Sequence, residues 1–296
     1  MNFDLLISIM LALVGVSAGS FAGAMVWRLR AAQLREDKEA GETVSKKDAA
    51  AVEKIKQTSM LTDRSVCLHC GHHLAWYDLI PVVSWLQLGG RCRYCRKKIG
   101  WPEFAVEIGV AAFFVLSYLV WPYLLDEVWS IVQLVSWLLA GIGLAILFLY
   151  DSRWFLLPDR VMFAVIACGA VFSFASIALY DFAVGQLVNV LIAVTILSGI
   201  YYVIYVVSKH QWIGFGDVKL GLALALLLAD WQLALLALFL ANLIGTILLL
   251  PMMLRGRVTR QSHIPFGPFL IAGWLFAGLF GHEIITWYAL LTLVAV

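Results

Sequence analysis

Long apolar runs separated by short polar joints dominate the chain. Runs that span, or nearly span, ~30 Å of hydrocarbon fall at 4–27, 105–122, 128–150, 160–180, 184–207, 218–229, 231–254 and 266–280. A final run, 283–296, reads either as a last span or as a folded-back tail. The pattern predicts an all-α polytopic membrane protein with about eight transmembrane helices. Residues 1–27 form the first of them and residues 105–296 a helical membrane core. The run 218–229 is short, and needs Lys219 reaching the interface or burial among other helices. "MNFD" ahead of the first run carries no Lys or Arg, and that run is about twice a signal-peptide core. A retained first helix is the better reading.

Composition agrees with the pattern. Of 296 residues, 62% are hydrophobic and 14% charged, against roughly half and a quarter in soluble domains. Charge then sets orientation. With Met1 outside and spans alternating, the inside segments are 28–104, 151–160, 208–219 and 251–265, and they hold all 21 Lys and Arg. The outside segments hold only acids and a histidine: Asp4, Asp126, Glu127, Asp181, Asp230, His282 and Glu283. The positive-inside rule makes the basic face cytoplasmic. Topology therefore explains the basic residues, and the net charge of +2 gives no reason to invoke nucleic acid.

The one sizeable non-membrane segment is 28–104. Its first half mixes both charge signs with alanine and lacks a large apolar face, which suits a solvated helix pair or a flexible connector. Its second half, "CLHCGHHLAWYDLIPVVSWLQLGGRCRYC", sets Cys67 and Cys70 in one C-x-x-C and Cys92 and Cys95 in another. Two such knuckles place four thiolates at the corners of a tetrahedron, as Zn²⁺ accepts. Cytoplasmic thiols stay reduced, which disfavours a pair of disulfides. A redox pair is the main alternative, and His69, His72 or His73 are substitute ligands. Cys168 lies mid-span and reads as a small apolar side chain.

Ionisable groups at membrane depth cost ~2.5–3.5 kcal/mol or more and need a reason. Asp151 closes the run "GIGLAILFLY", and Asp217 opens "VKLGLALALLLA" after "GFG". Span parity puts both at the same cytoplasmic rim. Read alone, Asp217 suits a helix cap. Two carboxylates on one face suit aspartic hydrolysis, in which the pair shares one proton. Gly214 and Gly216 would then let backbone and an extended substrate approach Asp217. Asp159 after Pro158 reads as a cap for the next helix, and Glu107 as a partner for a rim Arg or Lys. Lys219 either anchors a short helix or tunes the pair's proton.

The chain resembles the type IV prepilin peptidases, a family of membrane aspartic proteases of the G-x-G-D type. The resemblance rests on "GSF…WRLR" (19–30), the two knuckles with "IPVVSWLQLGGRCRYC", "PEFAVE" (102–107), "YDSRWFLLPD" (150–159), "GFGDVKL" (214–220) and "IPFGPFL" (264–270). It implies cleavage of the basic leader from type IV prepilins or type II secretion pseudopilins at the cytoplasmic face of the bacterial inner membrane. The catalytic pair would be Asp151 and Asp217, and Cys67, Cys70, Cys92 and Cys95 would hold structural zinc. It also implies N-methylation of the new terminus from S-adenosylmethionine, for which no binding residue is identified. Asp78, Glu103 or Asp159 are candidates to hold the leader's basic residues. Pro265 and Gly267 either shape a re-entry point near the pair or form a plain helix-start turn. The chain departs from the family where Ala22-Gly23-Ala24 follows Gly19-Ser20-Phe21, where Arg30 replaces a proline, and in a long charged insert at 31–62. Rival readings are a presenilin-like protease, a proton-coupled transporter using the two acids as a relay, and a membrane anchor with a zinc module.

Overall fold

The computed structural model describes residues 3–41, 49–50, 52, 55, 65–122, 125–256 and 264–294. The described residues are helical and form no strand, only two isolated bridges. Seven helices among them are long and apolar enough to cross a membrane. The chain divides into two compact units, Met1–Val115 and Leu116–Val296.

In the first unit, α1 (Phe3–Glu39) runs 37 residues, well past the apolar run that predicts it. The charged continuation has an apolar side after all. Ala31 and Leu34 bury against Val52 and Ile55, with Trp27, Val66 and Leu68 packed around them. Much of the charged insert (42–48, 51, 53–54 and 56–64) lies outside the described residues. Two short elements follow, a 3₁₀ turn at Trp76–Leu79 and α2 (Val83–Gln87). α3 (Trp101–Leu119) then returns along α1. Gly15 and Gly19, one turn apart, make the close approach possible. A Cβ would lie 2.7 Å from Ala111 Cα at the first and 2.6 Å from Glu107 Cα at the second. Small residues at four-residue spacing are how helices pack where lipid removes the hydrophobic drive.

The second unit holds α4 (Val128–Trp154), α5 (Asp159–Leu179), α6 (Val184–Val207), α7 (Phe215–Leu228), α8 (Trp231–Leu254) and α9 (Gly267–Val294). α4 packs on α5, and α8 on α9. α7, with 14 residues, is only ~21 Å long and is the short element among the eight expected spans. It survives by burial. α5, α6, α8 and α9 all touch it, and Leu220, Ala223, Leu224, Ala225 and Leu227 are at most 1% exposed. One expectation needs correction. The runs 266–280 and 283–296 are one helix, α9, because neither His282 nor Glu283 interrupts its backbone. α6 matches its run, and within it Thr195–Gly199 winds as a π turn.

Candidate active site and metal centre

The two cysteine knuckles share one backbone plan. The Cys67 N–H donates to His72 O and the Gly71 N–H to Cys67 O; in the second, Cys92 donates to Lys97 O and Arg96 to Cys92 O. The fourth residue after each leading cysteine is left-handed, Gly71 at φ +72° and Arg96 at φ +59°. Gly89 and Gly90, just before the second knuckle, are left-handed as well, at φ +58° and +66°. The four sulfurs lie within 4.8 Å of one another, and Cys67 Sγ to Cys95 Sγ is 3.9 Å. Zn–S bonds of ~2.3 Å arranged tetrahedrally give sulfur separations of ~3.8 Å. The donor set fits a divalent cation of zinc's size and softness. Burial pushes the Cys67 thiol up to about 12; a bound cation would have to displace that proton, as thiolate coordination does. The histidines named as substitutes fall outside this cluster of donors; the His72 ring rests on Tyr94, centroids 3.7 Å apart.

Asp78 braces the second knuckle. Its carboxylate, 4% exposed, accepts from Arg93 Nε at 2.7 Å, from Tyr94 Oη at 3.0 Å and from the Ala75 N–H at 3.2 Å. Arg93 and Tyr94 are the two residues between Cys92 and Cys95. Burial alone would raise the Asp78 carboxyl, but hydrogen bonds from Arg93, Tyr94 and Ala75 outweigh it and hold the group below the usual carboxylate range. Asp78 is therefore committed inside the module. The other two acids considered for the leader also have partners, outside the module: Glu103 accepts from Trp27 Nε1 at 3.3 Å and Asp159 from Lys219. Among the described residues Glu107 has no rim cation as a partner. Its Oε2 accepts from the Val82 N–H at 2.7 Å, at a valine held at φ +62°, where a β-branched residue is strained.

The acid pair lies wholly in the second unit. Asp151 sits in the last turn of α4 and is 5% exposed. Its Oδ2 accepts from the Gly267 N–H at 3.1 Å, a donor that the start of α9 leaves without an intrahelical partner. Asp217, third residue of α7, is close enough to Asp151 to feel its charge. Asp217 is not the helix cap. Gly214 holds that position, in extended backbone.

Both motifs have a local logic. Phe155 ends α4 in left-handed backbone, φ 58° and ψ 35°, and Pro158 begins α5. Between them Leu157 packs on Gly216, where a Cβ would come within 3.1 Å of its Cδ1. Asp159 does not cap α5; it is the helix's first residue and meets Lys219 Nζ at 2.7 Å. Lys219 also lies 5.5 Å from the Phe163 ring and 5.3 Å from the Phe215 ring, so it clamps α7 to α5 and turns away from the acid pair. Gly267 does lie at the pair, with a Cβ only 2.7 Å from Asp151 Oδ2, while Pro265 lies in the segment leading to it. Tyr201 was missed. Its phenol stands near Asp217, and the only sequence signal was a polar atom inside the run "GIYYVIYVV".

Residues 13–121 match the bacterial peptidase A24 N-terminal domain, and residues 138–250 match the type IV leader peptidase family. The chain is 30% identical over 279 residues to a prepilin leader peptidase/N-methyltransferase of Aeromonas salmonicida, covering 93% of this chain and 91% of that one. The chain belongs to the type IV leader peptidase family. A Pseudomonas aeruginosa relative of the same description is 30% identical over 286 residues, with coverage of 93% and 91%. An Escherichia coli type 4 prepilin-like proteins leader peptide-processing enzyme is 30% identical over 265 residues, with 88% of each chain covered. No solved structure matches the chain. A peptidase family leaves no place for the transporter and anchor readings.

Proposed function

We propose that this protein is the membrane aspartic endopeptidase that removes the basic leader from type IV prepilins, and from pseudopilins of type II secretion, with Asp151 and Asp217 as the catalytic pair. The observation that carries the reading is the nearness of these two carboxylates, whose charges interact, at the joined ends of α4, α7 and α9. One carboxylate is ionised and takes a proton from water; the resulting hydroxide attacks the scissile carbonyl carbon. The other, protonated, donates to the carbonyl oxygen. Collapse of the tetrahedral species breaks the C–N bond, leaving a carboxyl on the leader and a free amine on the pilin.

The placing of every basic residue on one side supports a bacterial inner-membrane enzyme with its pair and zinc module facing the cytoplasm. There a prepilin's charged leader meets the pair without entering lipid. Cys67, Cys70, Cys92 and Cys95 would hold Zn²⁺ as a structural ion, which contributes folding energy to a segment with a small core. The relatives' description supports a second step, methylation of the new amine from S-adenosylmethionine.

The test uses purified full-length protein with a type IV prepilin from the same cell. Wild type cuts the prepilin, and Asp151→Asn and Asp217→Asn do not. A mutant that still cuts at the wild-type rate removes that residue from the pair. Mass measurement of the product, with and without S-adenosylmethionine, reads the methyl group directly.

A further inference from the structure

The acid pair has a third polar neighbour that the mechanism above leaves unused. Tyr201 is 4% exposed, and its hydroxyl has no hydrogen-bond partner among the described residues. Buried hydroxyls are ordinarily satisfied, so an orphan here calls for a reason. Its surroundings supply one. Asp217 acts on the phenol from α7 but does not accept its hydrogen bond. The Tyr201 ring packs 5.7 Å from the ring of Phe266, the residue just before Gly267, whose N–H binds Asp151. From α8, the Asn242 amide donates to Leu238 O at 2.8 Å and faces the phenol oxygen as a second donor, so it offers the O–H no acceptor. The hydroxyl therefore stands near Asp217, with no acceptor for its own proton among the described residues.

The backbone is built to put it there. The π turn at Thr195–Gly199 ends immediately before the residues that carry Tyr201. One extra residue in a helical turn rotates everything downstream by about 100°. In the stretch that follows, Tyr201 is the buried residue, while Tyr202 is 52% exposed. The turn is locked onto α7 by Ser198 Oγ donating to Val218 O at 3.0 Å. Gly221 admits the Leu197 carbonyl, which would stand 2.2 Å from a Cβ at that position. Such turns recur at functional sites.

We propose that Tyr201 is a catalytic residue whose O–H donates to the scissile carbonyl oxygen, the acceptor that arrives only with the substrate. As water adds to the carbonyl carbon, the carbonyl electron pair moves onto that oxygen. The phenol then shares it with the protonated aspartate and keeps its own proton throughout. A donor aimed where charge develops stabilises the transition state more than the bound ground state. The inference rests on the aspartic-pair reading of the preceding subsection.

The experiment is Tyr201→Phe in the full chain, assayed on the same prepilin beside Asp151→Asn and Asp217→Asn. The expected result is a fall in kcat of about 100-fold, with KM changed less than about twofold and both limbs of the pH–rate profile in place. Thermal unfolding shifts to equal or higher temperature, since the ring is retained and an orphan hydroxyl removed. A kcat within about threefold of wild type overturns the assignment, as does a loss that tracks a lower unfolding temperature. A displaced acid limb also overturns it, because the hydroxyl would then serve Asp217 itself; the titratable groups facing Asp217 are Asp151 and Tyr201, with Lys219 turned to Asp159. If the asparagine variants are dead and Tyr201→Phe is fully active, only the tyrosine assignment falls. If either asparagine variant cuts normally, the pair itself falls and the tyrosine role with it.

Discussion

Gly267→Ala isolates the geometry of the acid pair from its chemistry. The substitution adds one methyl group and changes no charge. Built on the present backbone, that methyl carbon would lie 2.7 Å from Asp151 Oδ2 and 3.4 Å from its Cγ. Ordinary contact begins near 3.4 Å, so the carboxylate or the start of α9 must give by about 0.7 Å. Either movement lengthens or tilts the 3.1 Å bond from the Gly267 N–H. A misplacement approaching 1 Å at a reacting group costs up to about 100-fold in rate, and we expect kcat to fall by about 30- to 100-fold. Stability should change much less, by about 1 kcal/mol, because alanine is the better helix former and offsets part of the weakened bond. Two other glycines calibrate the result. At Gly216 the clash is with Leu157, a side chain that can turn aside, and at Gly214 the nearest atom is Asp217 Oδ2 at an ordinary 3.8 Å. Prepilin cleavage followed by mass spectrometry, with thermal unfolding as control, should rank the alanine variants 267, then 216, then 214 in loss of activity. Full activity in Gly267→Ala with a dead Gly214→Ala would falsify the reasoning.

The remaining tests probe the supports. Removing Asp78, which ties Arg93 and Tyr94 to the 3₁₀ turn, should weaken zinc binding by about 10- to 100-fold in a chelator competition; unchanged affinity would show that the brace is idle. Because the folded Asp78 carboxyl is held below its ordinary range, its contribution is fully present above about pH 4 and is lost as pH falls through the lowered value. Hydrogen-exchange protection of residues 75–94 should therefore exceed that of Asp78→Asn at neutral pH and converge with it in strong acid; a gap that persists there contradicts the assignment. Gly221→Ala places a methyl 2.2 Å from the Leu197 carbonyl oxygen and 2.9 Å from its carbon, backbone atoms that cannot turn aside. It should cost about 1–3 kcal/mol in thermal unfolding, and a variant as stable as wild type would mean that α6 and α7 do not pack as described.

Much of this arrangement was legible because membranes simplify sequences. Apolar runs give helices, and span parity put Asp151 and Asp217 at helix ends on one face, where their charges do interact. The paired C-x-x-C spacing gave the thiolate cluster for an equally local reason. What escaped was set by tertiary contact. No local signal says that α6 contains a π turn, since its sequence is as apolar as any regular helix; the turn exists because Gly221 admits a carbonyl. Nor does hydropathy reveal that His282 and Glu283 sit inside a continuous α9. Lys219 was ambiguous because a lysine near a carboxylate reads as its partner, whereas residues two apart on a helix point to nearly opposite sides.

That same geometry separates the two acids of "YDSRWFLLPD". Asp151 and Asp159 flank one reversal between α4 and α5, and both reach α7, but they meet different faces of it. Asp151 is 5% exposed and lies near enough to Asp217 for their charges to interact. Asp159 has a side chain 58% exposed and meets Lys219. An exposed ion pair contributes about 0–1 kcal/mol, and Lys219 keeps its contacts with the Phe163 and Phe215 rings without it. Asp159→Asn should therefore lower cleavage by no more than about fivefold, whereas Asp151→Asn should abolish it. The comparison is a cleavage time course on the two variants side by side. Equal loss in both would mean that the Asp159–Lys219 clamp positions Asp217, and that the acid pair depends on a contact most of whose carboxylate lies in the open.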